Sequence, residues 1–124
     1  VELRADLPDV RPELARCGLM LVPLRIGGGS RLKILEALAM NTPVVSTRVG
    51  AEGLELTAGR HLTVVEDVDD LVGAILGAVR SPAAMQEQAR RGREMVLRRY
   101  GWDALAEQLE RVWMDCVVEQ SLSV

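Results

Sequence analysis

Short runs of apolar residues alternate along the chain with longer segments in which apolar residues recur every three or four positions. The runs at 19–22, 44–46 and 61–65 predict strands, and a shorter run at 1–3 predicts another. The run that starts at residue 19 is continuously apolar and stops at a proline, as in a strand buried on both faces. Residues 32–40 show the periodicity of a helix. This alternation predicts an α/β fold, with βα units on a parallel sheet.

The second half of the chain predicts helices separated by short breaks. Its apolar residues repeat at intervals of three and four, and each stripe predicts one buried helix face. There is no internal repeat and no flexible linker, and 124 residues fit one domain over 1–124. The stripes are Leu71, Val72, Ile75, Leu76 and Val79, then Met85, Ala89, Gly92 and Val96, then Leu105, Leu109, Val112, Trp113, Cys116 and Val117.

The composition argues against a protein that binds polyanions. Lys and Arg number 15 against 18 Asp and Glu, which gives a formal net charge of −3. Aromatic residues make up 2% of the chain and Phe is absent, so stacking side chains for nucleic acid are scarce. The arginine-rich segment is interleaved with acids at i,i+4 spacing, which is typical of a solvated helix: Glu87 with Arg91, Arg90 with Glu94, and Glu94 with Arg98. No nucleic-acid partner is therefore predicted.

Cysteine usage and hydropathy predict a cytoplasmic protein. Cys17 and Cys116 match neither a zinc spacing nor a disulfide framework, and Cys17 is predicted to be a buried apolar side chain. No signal peptide is recognisable, and no apolar run approaches the ~20 residues of a transmembrane helix. The only histidine, His61, lies in no metal-ligand pattern and is predicted to be structural or at the surface. Because the chain starts at Val1 rather than Met, we expect it to be a piece of something longer.

A glycine-rich segment between a strand and a helix carries the candidate chemistry. Glycines occupy 27–29, and Ser30 is placed to cap the helix that follows. Amides of such a loop approach a ligand closely and face the positive end of the helix dipole, so an anion is expected to bind. A GxGxxG loop and a Walker A loop are both excluded, since each needs glycine at Leu32. A plain turn after the strand is the alternative.

Charged side chains beside the loop favour a ligand. Arg31 and Lys33 lie in the first helical turn, where the dipole disfavours a cation by ~0.3–1 kcal/mol and a bound phosphate would reverse that penalty. Arg25, before the glycines, adds a third cation to counter a diphosphate. Glu36 stands ~9 Å along the helix from the cap, and a carboxylate accepts both hydroxyls of a ribose. Alternatively, Lys33 and Glu36 form an exposed ion pair worth roughly a few tenths of a kcal/mol.

Four blocks of sequence resemble the donor-binding half of retaining GT-B glycosyltransferases, the family called glycosyltransferases group one. With the segments 59–62 and 100–102 behind them, the resemblance covers nearly the whole chain. It implies a partial C-terminal domain with a Rossmann-like parallel sheet and flanking helices. The blocks are Pro23-Leu24-Arg25, then Gly27-Gly28-Gly29-Ser30-Arg31-Leu32-Lys33-Ile34-Leu35-Glu36-Ala37-Leu38-Ala39, then Pro43-Val44-Val45-Ser46-Thr47, then Val49-Gly50-Ala51-Glu52-Gly53-Leu54.

The resemblance also implies a ligand and a site. The ligand is a nucleoside-diphosphate sugar as donor substrate, used without a bound metal or other cofactor. Glu36 takes the ribose hydroxyls and the glycine-rich loop faces the diphosphate and sugar. Because ligands of α/β proteins bind near the carboxyl ends of strands, the amides of Gly50 and Ala51 after the 44–46 strand are a further candidate contact. No catalytic residue is assigned. Together with the charge argument above, the candidate donor-binding residues are Arg25, Gly27, Gly28, Gly29, Ser30, Arg31, Lys33, Glu36, Gly50 and Ala51.

The chain departs from the family pattern in two ways. Gly28 stands where many members carry a glutamate eight positions before Glu36. The chain also lacks the family's N-terminal acceptor domain and two βα units, including the Arg and Lys that usually grip the diphosphate. We therefore expect a fragment that is inactive alone and self-associates through the unpaired edge at 19–22. The alternative is a non-catalytic nucleotide-binding or interaction domain that has kept the fold.

Overall fold

The computed structural model describes residues 1–122 and contains a parallel sheet of three strands. The strands are β1 (Met20–Val22), β2 (Val44–Thr47) and β3 (Thr63–Val65), in the spatial order β1-β2-β3. Leu21 is in register with Val45, and Ser46 with Val64. The predicted α/β class and the sequential order of these strands are confirmed.

Six helices connect and flank the strands within residues 1–122. They are α1 (Arg11–Arg16), α2 (Leu32–Ala39), α3 (Arg48–Ala51), α4 (Leu71–Arg80), α5 (Pro82–Tyr100) and α6 (Trp102–Leu122). A 3₁₀ turn, Val68–Asp70, precedes α4 and carries a capping box between Asp67 and Asp70. The helix predicted at 32–40 is confirmed to within one residue, as is the junction predicted at 100–102.

The core forms where the sheet meets α2 and α5. Central strand β2 is buried along its full length, because β1 and β3 pair with its two edges and helices α2, α3 and α4 pack against it. The stripe predicted for α5 is confirmed by Ala89, Gly92 and Val96, all buried. Gly92 is required there, since a Cβ would lie 2.7 Å from both the His61 carbonyl oxygen and a Leu38 methyl group. The buried core cluster is Val22, Ile34, Ala37, Leu38, Val44, Leu62 and Val96.

The strand predicted at 1–3 is wrong. Residues 1–5 have no regular secondary structure, and Val1 and Leu3 are exposed. A strand is held by hydrogen bonds to a neighbouring strand, and nothing in residues 1–122 pairs with this segment. β1 is consequently an edge of the sheet.

The buried face predicted for α6 is also wrong, and the one predicted for α4 is confirmed only in part. In α6 the whole stripe is exposed, and in α4 Val72, Leu76 and Val79 are exposed while Leu71 is buried. Cys17, predicted to be buried, is exposed as well. Periodicity identifies an apolar helix face, but burial of the whole face needs a neighbouring element along its full width, and within the described residues these faces are covered only in part. The exposed stripe of α6 is Leu105, Leu109, Val112, Trp113, Cys116 and Val117.

Candidate functional site

The glycine-rich loop leads into α2, but Ser30 does not cap that helix. The residue at the cap position is Arg31, with φ −94° and ψ 45°, and no side chain caps the helix. The predicted role of Ser30 is therefore wrong, because the backbone enters the helical conformation one residue later than predicted. Gly27 and Gly29 have φ values of 156° and 95°, which favour glycine over any residue with a side chain.

The Arg31 side chain is buried and folds back onto the loop. It is 6% exposed, and its Nη2 donates a hydrogen bond to the Gly27 carbonyl oxygen at 2.9 Å. Its Nε is buried without a hydrogen-bond partner, and no carboxylate of the described residues pairs with it. Burying a cation without a counter-ion is costly, so this site is electrostatically incomplete as the chain stands.

A cavity of about 690 Å³ lies beside the loop and along α2. It brings together four of the predicted site residues: Gly29, Ser30, Arg31 and Glu36. The other walls come from residues 52–54 and from the junction between α5 and α6. We call this space the α2 cavity. Its lining combines a polar end with a largely apolar wall.

Glu36 is an exposed carboxylate in this cavity with no ion-pair partner among the described residues. Lys33 is exposed on the same helix and also makes no ion pair there. The alternative prediction of an ion pair between Lys33 and Glu36 is thus not realised. Both charges remain available to a ligand.

A second cavity, of about 550 Å³, lies at the carboxyl ends of the three strands. Arg25 lines it together with Thr47 and the acidic residues 66–69. The structure therefore places Arg25 in a different cavity from Glu36. At the edge of this acidic segment, the Arg48 Nε donates to Glu66 at 2.8 Å, and this hydrogen bond lowers the pKa of the Glu66 carboxyl.

The segment after β2 is built by local hydrogen bonds. Thr47 caps α3, because its Oγ1 accepts from the Gly50 amide at 3.1 Å and donates to the Leu24 carbonyl oxygen at 2.6 Å. Gly50 is buried, and a Cβ there would lie 2.9 Å from the Cγ1 of Val22. A ligand contact through the Gly50 amide would have to replace its bond to Thr47. The neighbouring Ala51 is half-buried.

The loop that follows α3 is fastened to the end of α5. The Glu55 amide donates to the Tyr100 hydroxyl oxygen at 2.8 Å, and its carboxylate pairs with Arg99 at 2.9 Å. Glu52, in the same loop, lines the α2 cavity. The loop thus holds one wall of the cavity against α5.

His61 is structural, as predicted. It is 7% exposed, and its Nδ1 accepts a hydrogen bond from the Thr57 amide at 3.0 Å. Burial lowers the pKa of its imidazole, and the positive charges of Arg60, Arg98 and Arg91 lower it further. The fold thus favours the neutral form of the His61 ring, whose Nδ1 bond to the Thr57 amide stabilises the loop that leads into β3.

The arginine-rich face of α5 is largely paired with acids. Glu87 accepts from Arg90 at 2.8 Å and from Arg91 at 2.9 Å, and these hydrogen bonds lower the pKa of its carboxyl to about 2. Arg90 also pairs with Glu94. The predicted pair between Glu94 and Arg98 is absent from the ion pairs of residues 1–122, and Arg98 instead contacts the Met95 sulfur at 3.5 Å. The interpretation as a solvated, self-neutralised face is confirmed in its main part.

Sequence reasoning missed the α5–α6 junction as a wall of the α2 cavity. Tyr100, Trp102 and Leu105 line the cavity, and Trp102 is 89% exposed. Helical periodicity assigned only Leu105 to a buried face, and Tyr100 and Trp102 were predicted only as part of a helix junction. Residues 1–122 contain no helix long and apolar enough to span a membrane, and no group of three or more potential metal ligands.

Comparison with known proteins identifies the class to which this fold belongs. The sequence profile of the family described as "Glycosyl transferases group 1" matches residues 1–81. The chain is 34% identical over 91 residues to a phosphatidyl-myo-inositol mannosyltransferase of Mycobacterium leprae, covering 71% of this chain and 24% of that protein. It is 29% identical over 85 residues to a glycogen synthase of Mycobacterium tuberculosis, covering 67% of this chain and 20% of that protein. The chain belongs to the glycosyl transferases group 1 family and spans about a quarter or less of these relatives.

Proposed function

We propose that this chain is the donor-binding part of a retaining GT-B glycosyltransferase and binds a nucleoside-diphosphate sugar. One observation carries the proposal: an exposed, unpaired Glu36 shares a cavity with the buried, unneutralised Arg31 and the loop residues Gly29 and Ser30. A ribose diphosphate offers hydroxyl donors and a negative charge. It therefore supplies what each of these groups lacks.

Each predicted site residue has a stated role in this proposal. Glu36 accepts hydrogen bonds from the two ribose hydroxyls, and Arg31 supplies positive charge to the diphosphate. Lys33 and Arg25 are both exposed and flank the loop in sequence; Lys33 adds charge from α2, and Arg25 adds charge from the second cavity that it lines. Gly27, Gly28, Gly29 and Ser30 face the diphosphate and sugar through their backbone. Gly50 and Ala51 contribute from the segment after β2, where the Gly50 amide exchanges its bond to Thr47 for one to the ligand.

The whole enzyme would need more than these residues. In a two-domain arrangement the reaction takes place between a donor-binding and an acceptor-binding domain, and we propose that this chain works with such an acceptor domain in the cytoplasm. Transfer would retain the anomeric configuration and use no bound metal. Arg31, Lys33 and Arg25 would counter the charge of the leaving diphosphate, a role that a metal ion has in other enzymes.

Calorimetric titration with uridine and guanosine diphosphate tests the proposal. Glu36→Ala should weaken binding by ~1–3 kcal/mol, because it removes charge-assisted hydrogen bonds to the ribose. Glu110→Ala is the matched control, since Glu110 is also an exposed helical glutamate without an ion pair among the described residues. Equal affinity of the wild type and Glu36→Ala, or absence of binding by the wild type to either nucleotide, would contradict the proposal.

A further inference from the structure

Helix α4 packs one side on the sheet and leaves the other side in solvent. Leu71 and Ala78 are buried, and the helix contacts β2 and β3. The outer side carries Val72, Leu76 and Val79, all exposed, and no charged residue lies among them. Single exposed apolar residues are ordinary, but these three form one continuous stripe. A continuous apolar stripe on an exposed helix is typical of a surface that contacts another protein.

Two glycines lie on the same outer side of α4. Gly73 and Gly77 are exposed, and a Cβ at either position would meet no atom within 4 Å. Alanine would fit at both positions and would favour the helix, so packing within the chain does not require glycine there. A second helix laid across α4 does benefit, because two backbones approach more closely where side chains are missing. The outer side of α4 therefore combines apolar side chains with shallow gaps.

Opposite charges stand at the two ends of this face. Asp69 precedes the helix and continues the stripe, three positions before Val72, and Arg80 is the last residue of α4. Both are exposed, and neither forms an ion pair or a side-chain hydrogen bond within the described part of the chain. At ~1.5 Å per residue they lie ~16 Å apart along the helix. An acid at one end and a base at the other make the face complementary to itself in the reverse direction.

We propose that the outer face of α4 binds the same face of a second copy of this chain. A two-fold axis perpendicular to the helix sets the two copies of α4 antiparallel. Asp69 of each copy then lies opposite Arg80 of the other, so the same ion pair forms twice. A parallel arrangement would instead set Asp69 against Asp69 and Arg80 against Arg80, which is repulsive. The charges therefore select the antiparallel pair.

The same register fits the apolar side chains into the gaps. It places Val72 opposite Gly77 of the second copy, and Leu76 opposite Gly73. Each exposed side chain of the central stripe thus meets a glycine rather than another large side chain. Charge and shape agree on one alignment of the two helices.

The pairing leaves the α2 cavity open, since no residue of α4 lines that cavity. Asp69 does line the second cavity, so Arg80 of the second copy adds a positive charge at the rim of the acidic segment 66–69. The contact between two ten-residue helices is small, which predicts a weak association. The proposal does not depend on nucleotide binding.

Sedimentation equilibrium of Leu21→Lys tests the proposal, because a lysine on the open edge of β1 blocks pairing through that strand. Self-association should appear between tens of micromolar and ~1 mM. Asp69→Arg or Arg80→Asp, added to Leu21→Lys, should each weaken this association at least tenfold, since each sets like charges opposite one another. An equimolar mixture of the two variants should restore it, because the mixed pair again joins opposite charges at both ends.

Gly77→Leu distinguishes this fit from non-specific apolar association. In the Leu21→Lys chain, a leucine there fills the gap opposite Val72 and should abolish self-association, whereas a non-specific contact would become stronger. Asp103→Arg is the control, because it reverses an exposed charge at the start of α6 and gives the same net charge as Asp69→Arg. Thermal unfolding checks that each variant is folded.

Four results would overturn the proposal. They are no concentration-dependent association of Leu21→Lys over this range, no recovery in the mixture of charge variants, stronger association of Gly77→Leu, and a loss in Asp103→Arg as large as that in Asp69→Arg.

Discussion

Arg31 and Gly27 are joined by a hydrogen bond of 2.9 Å from the Nη2 of the arginine to the carbonyl oxygen of the glycine, which fastens the start of α2 to the glycine-rich loop. Gly27 is exposed, so its carbonyl would be hydrated if the arginine were lost. The arginine itself is buried with an unpartnered Nε. The hydrogen bond to Gly27 therefore offsets little of the free-energy cost of burying the guanidinium charge. Residues that cost stability in this way are common at ligand-binding sites.

Replacing Arg31 should lower the affinity for a nucleotide with little change in the free energy of unfolding. Arg31→Met keeps the apolar stem and removes the unneutralised charge, so the free energy of unfolding should change by less than ~1 kcal/mol. The affinity for uridine diphosphate should fall at least tenfold, since a charge-assisted contact is worth ~1.5–3 kcal/mol. Arg93→Met is the control. Arg93 also donates to a backbone carbonyl oxygen, but it is exposed and is not one of the proposed ligand-binding residues. Denaturant unfolding and calorimetry check both variants. If Arg31→Met lowered the free energy of unfolding by more than ~2 kcal/mol and left the affinity for uridine diphosphate unchanged, the prediction would be wrong.

Gly50 should tolerate no side chain. In Gly50→Ala the new methyl group would overlap the Ser46 hydroxyl and lie 3.0 Å from the Val22 carbonyl oxygen, so the buried backbone of β1 and β2 must shift. Overpacking of this kind costs typically ~1–3 kcal/mol. Gly73→Ala in α4 is the control, because a Cβ at Gly73 would meet nothing within 4 Å and alanine favours a helix. Equal melting temperatures for the two variants would show that the region around Gly50 is looser than the structure implies.

His61 should make the fold less stable in acid. Its pKa is lowered in the folded chain from an ordinary value of 6.5, so below that value the unfolded chain binds more protons than the folded chain. The stabilisation is fully present above pH 6.5 and is lost as the pH falls through the folded-state pKa. His61→Gln keeps an acceptor for the Thr57 amide but does not titrate, so its free energy of unfolding should depend less on pH between about 7 and 5. As the chain has one histidine, NMR titration follows its ring directly. A folded-state pKa at or above 6.5 would contradict the prediction.

The chain alone should transfer no sugar. Much of catalysis comes from holding two reactants in a reactive geometry, and one wall of a cleft cannot position the acceptor. Incubation of the purified chain with nucleotide sugars and candidate acceptors should give no glycoside above the rate in buffer. Release of glycosylated product by the wild type, abolished in Glu36→Ala, would contradict this expectation.

Local patterns predicted β2, α2 and α5 well, because their periodicity and their burial are both satisfied within the chain. The same kind of pattern failed for the strand at 1–3, with which no strand within residues 1–122 pairs, and for the burial of α6, whose helix is present but whose predicted face is exposed. The position of Glu36 in a cavity followed from helix geometry, whereas the folding of Arg31 onto Gly27 did not. The helix-dipole argument treated Arg31 as an exposed charge at the end of the helix. It did not consider that a long side chain can fold back and donate to a nearby carbonyl oxygen. The position of Trp102 in the cavity wall could not be predicted, because the packing of α5 against α2 creates that wall.

The unpaired edge of β1 should make the chain self-associate. The Met20 amide donates to the Pro43 carbonyl oxygen at 2.8 Å, on the β2 side, so the next amide, that of Leu21, points to the free edge. Leu21 is 41% exposed, and residues 19–22 carry no charge or proline that would block pairing with another chain. Light scattering at tens of micromolar should show a dimer or larger species, with slow hydrogen exchange at the Leu21 amide. Leu21→Lys places a charge on the edge and should return the chain to a monomer, whereas Leu109→Lys on the exposed face of α6 should not. A stable wild-type monomer in which the Leu21 amide exchanges rapidly while those of Met20 and Val22 stay protected would show that the open edge is tolerated.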